Sequence, residues 1–422
     1  MSEISEVVDG AIDAVDDGEI ETPLIALTMP RDGLPPTATQ NDHLRSVAEA
    51  IARGTGPIAV DAERASGYRY SSRAYLIQLR REGSGTHLID PIEMTDLSPL
   101  IDAMSDSEWI LHASTQDLGC LRELGLHPTA LFDTEVAGRL LGRERVGLGY
   151  LLQSELGISL AKEHSAADWS TRPLPEPWLV YAALDVELLL ELREILKAEL
   201  EERGRWHWAE EEFAYLSNWH VPGPRVDAWR KTGGIHAVRQ AQELGIVREL
   251  WLERDRLARE KDKAPGRVLS DAGIIDIAKL PLKSARDIYR LDSLRNRSHK
   301  VLSDHWWEIR SQALAMSESE LPGPAPKSSN PPPPKAWPEK FPEASARWDV
   351  IRPAVIAAST ELGIATEVMI SPELIRRVCW DPEQNLVDEQ TLQTWFISQG
   401  ARKWQAELAA ATVYPASLTV TY

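Results

Sequence analysis

The chain has 422 residues, of which 43% are apolar, and it carries a formal net charge of −19. This length suits two to four ordinary domains, and the negative charge excludes a surface that attracts nucleic acid or anionic membrane uniformly. Cys120 and Cys379 lie far apart without a CxxC pair, which excludes a disulfide framework and a cysteine-rich zinc site and fits a reducing compartment.

The N-terminal segment is acidic. Its first 30 residues contain eight Asp and Glu and no Lys or Arg, unlike a secretion or transit signal. This imbalance predicts that residues 1–35 are disordered. Nowhere does the sequence approach the roughly 18 consecutive apolar residues that a membrane-spanning helix needs. We therefore expect a cytoplasmic protein without a membrane partner.

Residues 36–204 begin with short strand-like runs at PIAVDAE, AYLIQLRR, THLID and WILHAS and continue with helical patterns. This order predicts an α/β domain. Residues 205–320 have helical patterns throughout. Residues 321–342 contain nine prolines, which predicts a semi-rigid spacer with neither helix nor central strand. Residues 343–416 again have helical patterns, which predicts a separate small helical module.

Two acids follow an apolar run in IAVDAER. Because side chains alternate along a strand, Asp61 and Glu63 should share one face while Val60 and Ala62 point to the other. The two carboxylates should then converge within a few ångströms. A solvated strand face would produce the same pattern, so this pair does not by itself define a site.

Further acids stand where strands give way to helices. The run WILHASTQDLGCLRELG predicts a strand that leads directly into a helix with Asp117 in its first turn, where an acid also suits the helix dipole. In LFDTEVAGRLLG, the simplest role of Asp133 is to cap the next helix. The later run PEPWLVYAALDVELLLELREILKAELEERG predicts a long helix. Within it Tyr181 and Asp185 are four residues apart and should share one face.

These residues resemble the three exonuclease motifs of the DEDD 3′-5′ exonucleases in order and spacing. The motifs are DxE at Asp61 and Glu63, the aspartate Asp117, and YxxxD at Tyr181 and Asp185. The resemblance indicates the tyrosine subtype, because Val180 occupies the position at which the histidine subtype has its histidine.

Longer runs resemble the ribonuclease D family, and the helical run that begins GIVRELWLERDRLAREK resembles its HRDC domain. The resemblance implies an α/β ribonuclease H-like exonuclease domain, with a mixed sheet flanked by helices, followed by all-α HRDC domains. We assign residues 36–225 to the exonuclease, 226–320 to the HRDC domain and 343–422 to a second HRDC-like domain.

The resemblance also implies the role of each motif residue at a site for two divalent cations, Mg²⁺ or Mn²⁺, whose ligands are hard oxygens. Asp61 would bridge both ions, Glu63 and Asp185 would complete the site next to the attacking water, and Asp117 would hold the second ion through water. Tyr181 would orient the attacking water, because an ordinary tyrosine pKa near 10 makes it a poor base.

Several other residues are candidates for substrate contacts. His112, Gln116 and Arg64 could each contact the substrate, although a buried hydrogen bond for His112 and a solvated loop for Arg64 would explain them equally well. Trp169 and Arg172 are expected to brace the active-site helix rather than touch substrate.

The expected substrate is the single-stranded 3′ end of an RNA, trimmed by a monomer during the processing of tRNA or other stable RNA. DNA is an alternative, because the phosphate chemistry ignores the sugar and only contacts to the 2′-OH would select RNA. A non-catalytic nucleic-acid-binding scaffold is a second alternative, against which the five intact motif positions argue.

Residues 230–300 are locally basic, with 17 Lys and Arg against 10 Asp and Glu. This excess indicates a nucleic-acid guide, although a solvated helical surface would also produce it. Because all motif acids precede residue 204, we expect chemistry and substrate capture to be separable.

Overall fold

The computed structural model describes residues 24–160, 167–294, 300–324, 330–382 and 386–421. The prediction of disorder for residues 1–23 lies outside this part of the chain. Within the described residues, no helix is both long and apolar enough to cross a membrane.

The N-terminal half alternates strands and helices. Its strands are β1 Ile25–Leu27, β2 Thr37–Ala38, β3 Thr55–Arg64, β4 Ala74–Glu82, β5 Gly85–Ile89, β6 Glu108–Leu111, β7 Ala130–Asp133 and β8 Ile158–Leu160. Its helices are α1 Asn41–Arg53, α2 Ser98–Met104, α3 Leu118–Glu123, α4 Thr134–Leu140, α5 Leu148–Leu156, α6 Glu176–Glu187, α7 Leu189–Glu202 and α8 Trp206–Ser217.

Beyond α8 the described elements are all helical. The α-helices are α9 Ala241–Glu260, α10 Pro265–Val268, α11 Asp271–Lys279, α12 Ala285–Tyr289, α13 Ser303–Leu314, α14 Trp337–Lys340, α15 Pro342–Glu361, α16 Thr366–Met369, α17 Pro372–Trp380, α18 Glu389–Ser398 and α19 Lys403–Ser417.

The main sheet is mixed. Six of the described strands form it in the order β2-β5-β4-β3-β6-β7. The neighbours of β4 are antiparallel to it, whereas β6 runs parallel to both β3 and β7. Ile58, Ala59 and Val60 of the central strand β3 are almost completely buried, because helices cover both faces of the sheet. The expected mixed sheet flanked by helices is confirmed.

The segment before the sheet is ordered where it is described. Strand β1 pairs in parallel with β8, the Arg31 amide donates to Glu187, and the Arg31 guanidinium lies 2.5 Å from Glu191. The prediction of disorder is therefore wrong for residues 24–35. The acidic composition gave the wrong prediction for these residues. The apolar run in PLIALTMP is long enough to form a strand, and its partner β8 becomes available only in the folded chain.

Helices α9 to α13 enclose a core of their own. Trp306 is completely buried in this core, together with Val247, Leu250, Ile274 and Ile277. Arg254 is buried beside this core. Its guanidinium lies 2.5 Å from the Asp271 carboxylate, which compensates the buried positive charge.

The proline-rich segment is only partly a spacer. Pro334–Ala336 form a one-turn 3₁₀ helix, α14 follows directly, and Pro342 opens α15. The prediction that no helix forms there is wrong for residues 334–342, because proline is tolerated in the first turn of a helix. Trp337 is completely buried in the C-terminal core, and its indole donates to the Pro332 carbonyl oxygen at 2.8 Å.

The C-terminal helices pack directly on the exonuclease half, so they are not spatially separate. The rings of Trp404 in α19 and Trp208 in α8 stack at a centroid distance of 4.8 Å. Glu212 accepts hydrogen bonds from the Trp404 indole and from Arg402, at 3.1 Å each. Ile364, Met369 and Trp404 consequently belong to the same buried cluster as the sheet.

Gly142 is expected to be essential for this contact. It has φ +78°, and a methyl group added there would collide with the backbone carbonyl of Gly363. Gly142→Ala should therefore lower the free energy of unfolding by more than ~1 kcal/mol, which thermal or urea unfolding would measure.

Gly147→Ala is the matched control for this substitution. Gly147 has φ −61°, and nothing lies within 4 Å of the position a methyl group would take. Equal unfolding midpoints for the two variants would contradict the tight approach of Gly142 to Gly363.

Candidate active site

Strand β3 positions the first pair of acids. It pairs with β4 so that Asp61 stands opposite Gln78 and Glu63 opposite Leu76, and the register shifts between Glu63 and Arg64. Asp61 and Glu63 therefore share one face of the sheet, as the alternation of side chains predicts. This face is the one that α6 covers.

Helix α6 positions the second pair. Its residues Ala182, Ala183 and Val186 are completely buried, which fixes the rotation of the helix about its axis. Tyr181 and Asp185 lie one turn apart and are only partly buried. The Tyr181 hydroxyl donates a hydrogen bond to the Asp185 carboxylate.

Strand and helix bring three carboxylates together. Asp61, Glu63 and Asp185 each offer an oxygen, and these atoms lie within 4.8 Å of one another. A set of carboxylate oxygens with no nitrogen or sulfur ligand suits Mg²⁺ or Mn²⁺. The residues present therefore fit a divalent cation, and they come from segments more than 100 positions apart in the chain.

Asp117 lies beside this cluster and not within it. After β6 the chain passes through Ala113 at φ +55° and a one-turn 3₁₀ helix, Ser114–Gln116, so the strand does not lead directly into a helix. Asp117 is the buried residue that precedes α3. One of its carboxylate oxygens lies 3.8 Å from Nε of Arg64.

Asp133 does more than cap a helix. It caps α4 by accepting from the amides of Glu135 and Val136, as predicted. It also accepts from the amides of Ala113 and Ser114, at 3.2 and 2.7 Å. A single buried carboxylate thus holds the turn that carries Asp117, a long-range role with no signal in the sequence.

The predicted site residues line one cavity of about 410 Å³. All five motif residues and all three candidate substrate contacts border it, and these are Asp61, Glu63, Arg64, His112, Gln116, Asp117, Tyr181 and Asp185. His112 is partly buried with Nδ1 2.9 Å from the Thr134 hydroxyl, whereas Gln116 is exposed at the rim.

Burial, and for three of the acids the charge of a neighbouring carboxylate, destabilises the ionised forms of the four acids. Burial raises the pKa of Asp61 to about 6, against the opposing effects of the Ala62 amide and the Arg64 charge. Burial, and then the charge of Asp61, raises the pKa of Glu63 to about 10. Burial and the nearby Asp61 also raise the pKa of Asp117 and of Asp185 well above the usual range. A cation would remove this cost, because it stabilises all the ionised forms.

Two neighbouring groups are held neutral. Burial, with the charge of Asp185 second, raises the pKa of Tyr181 far above the ordinary tyrosine value, so its hydroxyl remains a donor at neutral pH. Burial lowers the pKa of His112, so its imidazole is neutral near pH 7.

Trp169 and Arg172 brace the site, as expected. Trp169 is completely buried, with its ring 6.4 Å from the ring of Tyr181. Arg172 forms a two-pronged contact with Asp90, Nε to Oδ2 at 2.6 Å and Nη2 to Oδ1 at 2.9 Å, and also donates to the Tyr75 carbonyl oxygen. These contacts fix the segment that leads into α6.

Gln78 was not anticipated from the sequence. It is completely buried on β4 directly opposite Asp61, and neither its amide nitrogen nor its amide oxygen has a partner among the described residues. An unpaired buried amide costs about 1–3 kcal/mol for each group, so a shape-matched apolar residue would stabilise this position more. Within the sequence IQLRR, nothing distinguishes this glutamine from an ordinary polar residue of a strand.

The comparisons with known proteins cover most of the chain. Residues 35–201 match the 3′-5′ exonuclease family, residues 243–309 match the HRDC domain family, and residues 330–416 match a 3′ to 5′ exonuclease C-terminal domain family. The fold and site thus define a 3′-5′ exonuclease, a hydrolase of phosphodiester bonds in a family that uses divalent metal ions.

Individual relatives identify the family within this class of exonucleases. Ribonuclease D of Jannaschia sp. is 32% identical over 68% of this chain and 77% of that protein, and ribonuclease D of Pseudomonas paraeruginosa is 30% identical over 75% and 82%. The chain therefore belongs to the ribonuclease D family.

Solved structures resemble most of the chain. A protein from Bifidobacterium adolescentis is 38% identical with a TM-score of 0.84, covering 94% of this chain and 100% of that one. Escherichia coli RNase D, described as an exoribonuclease involved in structured RNA processing, is 26% identical with a TM-score of 0.64, covering 90% and 98%.

The stability of the metal-free protein should fall as the pH rises. Asp61 and Glu63 hold protons in the folded protein at pH values where the unfolded chain, with carboxyl pKa values near 4, has released them. Their stabilising contribution is complete below pH 4 and is lost as the pH rises through about 6 and toward 10. For Asp61 alone the loss is on the order of 3 kcal/mol.

Thermal unfolding from pH 5 to pH 8, in chelator and in Mg²⁺, would measure this effect. The midpoint in chelator should fall with pH more steeply than that of Glu63→Gln, and Mg²⁺ should stabilise wild type increasingly as the pH rises. Parallel curves for the two proteins in chelator would contradict the raised pKa of Glu63.

Proposed function

We propose that this protein is a 3′-5′ exoribonuclease that trims single-stranded 3′ ends of tRNA or other stable RNA and releases nucleoside 5′-monophosphates. The observation that carries the proposal is the convergence of Asp61, Glu63 and Asp185 in one cavity, with the Tyr181 hydroxyl bonded to Asp185. Membership of the ribonuclease D family and the likeness to E. coli RNase D, an exoribonuclease, support RNA as the substrate.

The four acids would hold two divalent ions, Mg²⁺ or Mn²⁺. When bound, these ions would neutralise charge on the attacking and leaving oxygens and lower the pKa of the attacking water. Asp61 would bridge the two positions, and Glu63 and Asp185 would complete one of them. Asp117, outside the cluster of three, would reach the other through water. Arg64, 3.8 Å from Asp117, would offset part of the negative charge in the absence of ions.

Tyr181 would position the attacking water. Its raised pKa makes it unsuitable as a base at neutral pH, whereas its hydroxyl, bonded to Asp185, is directed into the cluster. With its proton donated to Asp185, the hydroxyl oxygen would accept a hydrogen bond from the attacking water and so orient it. Solvent or a carboxylate, and not the Tyr181 side chain, would accept the proton of the attacking water.

Three further residues would contact the substrate. His112, Gln116 and Arg64 border the cavity with the acids, so each can reach a terminal nucleotide there. His112 would act as a neutral hydrogen-bonding group, because Thr134 holds Nδ1 and burial lowers its pKa. Arg64 would contact phosphate as a cation.

Residues 36–225 would form the exonuclease domain and residues 226–320 the HRDC domain. Residues 343–422 would form a second HRDC-like domain, and the protein would act as a monomer. Both cysteines are buried free thiols, which supports a reducing compartment such as the cytoplasm.

The basic region at residues 230–300 is only partly free to bind phosphate. Arg254 pairs with Asp271, Arg256 with Glu253, and Arg259 with Asp255. Exposed cations that remain available include Lys261 and Lys263, at the end of α9. We propose that these residues guide the RNA, with other charges of the region serving the HRDC fold.

The decisive assay compares 3′ trimming of matched single-stranded RNA and DNA in Mg²⁺, Mn²⁺ and chelator. Asp185→Asn removes one charged oxygen from the cluster while keeping its shape, so it should lower the trimming rate by at least about 1,000-fold. Because it also relieves carboxylate repulsion, it should unfold at a slightly higher temperature than wild type in chelator.

The outcomes separate the candidate functions. Preference for RNA supports the exoribonuclease, and equal or greater activity on DNA supports the alternative DNA 3′-5′ exonuclease. Binding without metal-dependent trimming would leave the nucleic-acid-binding scaffold. Trimming by Asp185→Asn at the wild-type rate would contradict the site.

Tyr181→Phe tests the positioning role. It keeps the ring beside Trp169 and loses the hydroxyl, so the single-turnover rate at saturating RNA should fall roughly 10- to 1,000-fold. Mn²⁺ affinity, measured by calorimetry without RNA, should hardly change because the carboxylates remain. An unaltered rate would show that the hydroxyl plays no part in the chemical step.

A further inference from the structure

The loop of residues 65–73 joins β3 to β4 and begins directly beside the active-site residues of β3. It begins two residues after Glu63 and one after Arg64, where the register of the strand pair shifts. Ser66 of this loop lines the cavity. A displacement of the loop would therefore move the end of β3 that carries two of the carboxylates.

The HRDC region holds this loop through Asp262. One carboxylate oxygen of Asp262 accepts from the amides of both Tyr70 and Ser71, at 3.1 and 2.9 Å. Asp262 adopts φ +42°, a conformation uncommon for residues other than glycine and tolerated best by Asn and Asp. The Tyr70 ring packs against the HRDC core, and its hydroxyl donates to Asp255 at 3.1 Å.

A second set of contacts reaches the start of the same loop. The Ala264 amide donates to the Tyr68 carbonyl oxygen at 3.0 Å. Arg267 donates through Nε to the Gly67 carbonyl oxygen at 2.7 Å, with its guanidinium 4.1 Å from the Tyr68 ring centroid. Residues 262–267 thus satisfy backbone groups of the loop from Gly67 to Ser71.

The loop is tied on its other side to the segment that leads into α6. Arg69 donates through Nε to the Ser170 hydroxyl at 2.8 Å, and that hydroxyl donates to Asp168 at 2.5 Å. The neighbouring Trp169 packs against Tyr181. One loop therefore contacts the HRDC region, strand β3 and the approach to the helix that carries Asp185.

We propose that Asp262 and Arg267 are positioning residues for the exonuclease reaction, acting through the 65–73 loop to fix β3 against α6. The inference rests on the proposed function of the site. It changes the expectation that chemistry and capture are separable, because the HRDC region would set the rate of the chemical step as well as bind RNA. Repelling carboxylates need such a brace, since misplacement by about 1 Å can cost a reaction roughly 100-fold.

Three variants of the full-length chain test the proposal. Asp262→Gly removes both acceptor contacts and adopts positive φ without strain. Asp262→Asn keeps an acceptor oxygen and tolerates the same conformation. Arg256→Gln is the matched control, because Arg256 lies on α9, which ends just before Asp262, and contacts Glu253 and Glu260 and not the loop.

Asp262→Gly should lower the single-turnover rate at saturating RNA by about 10-fold or more. It should also weaken Mn²⁺ binding, measured by calorimetry without RNA, while the Kd for RNA in Ca²⁺ changes by less than about two-fold. Asp262→Asn should restore most of the rate, and Arg256→Gln should match wild type.

A wild-type rate and Mn²⁺ affinity for folded Asp262→Gly would overturn the proposal, as would a defect confined to RNA affinity. If Asp262→Gly does not fold, Arg267→Gln decides: it should lower the saturating rate about three-fold or more, and an unchanged rate would overturn the proposal. Failure of the proposed function is distinguishable, since wild type would then not trim RNA or Asp185→Asn would remain active.

Discussion

The structure depends on holding three carboxylates within 4.8 Å of one another in a partly desolvated cavity. Without a cation, burial and the repulsion between neighbouring carboxylates oppose the charged forms of these acids. Burial raises the pKa of Asp61, and burial followed by the charge of Asp61 raises that of Glu63. The surrounding elements are arranged to resist this repulsion. The buried face of α6, the two-pronged contact between Arg172 and Asp90, and the clamp of Asp133 on the Asp117 turn all fix backbone that the acids would otherwise displace.

The residues that line the candidate site could be predicted from the sequence because their placement depends on local spacing. The alternation at Asp61 and Glu63 and the four-residue spacing of Tyr181 and Asp185 each follow from the geometry of one element. The order of the motifs was sufficient to identify the family, and the family fixes the fold. The strands predicted at PIAVDAE, AYLIQLRR, THLID and WILHAS are all present.

The supporting contacts were not predictable, because each joins residues that only the folded chain brings together. Asp262 is 192 positions from Tyr70, and Trp404 is 192 positions from Glu212. Composition also misled where it was used alone. Residues 24–35 follow an acidic segment yet supply strand β1, and the proline-rich stretch supplies helix starts that proline permits. Gln78 shows the same limit, since the sequence of one strand reveals neither its burial nor the lack of a hydrogen-bond partner for it among the residues that the structure describes.

The packing of Trp404 on Trp208 also bears on how the chain folds during synthesis. Domains generally fold as units from the N-terminus while the ribosome is still extending the chain. Here the cluster that contains the sheet also includes Ile364, Met369 and Trp404. The domain that contains the sheet therefore cannot complete this cluster until the chain has been made as far as Trp404. During that interval Trp208 lacks the ring of Trp404 that stacks on it in the folded protein.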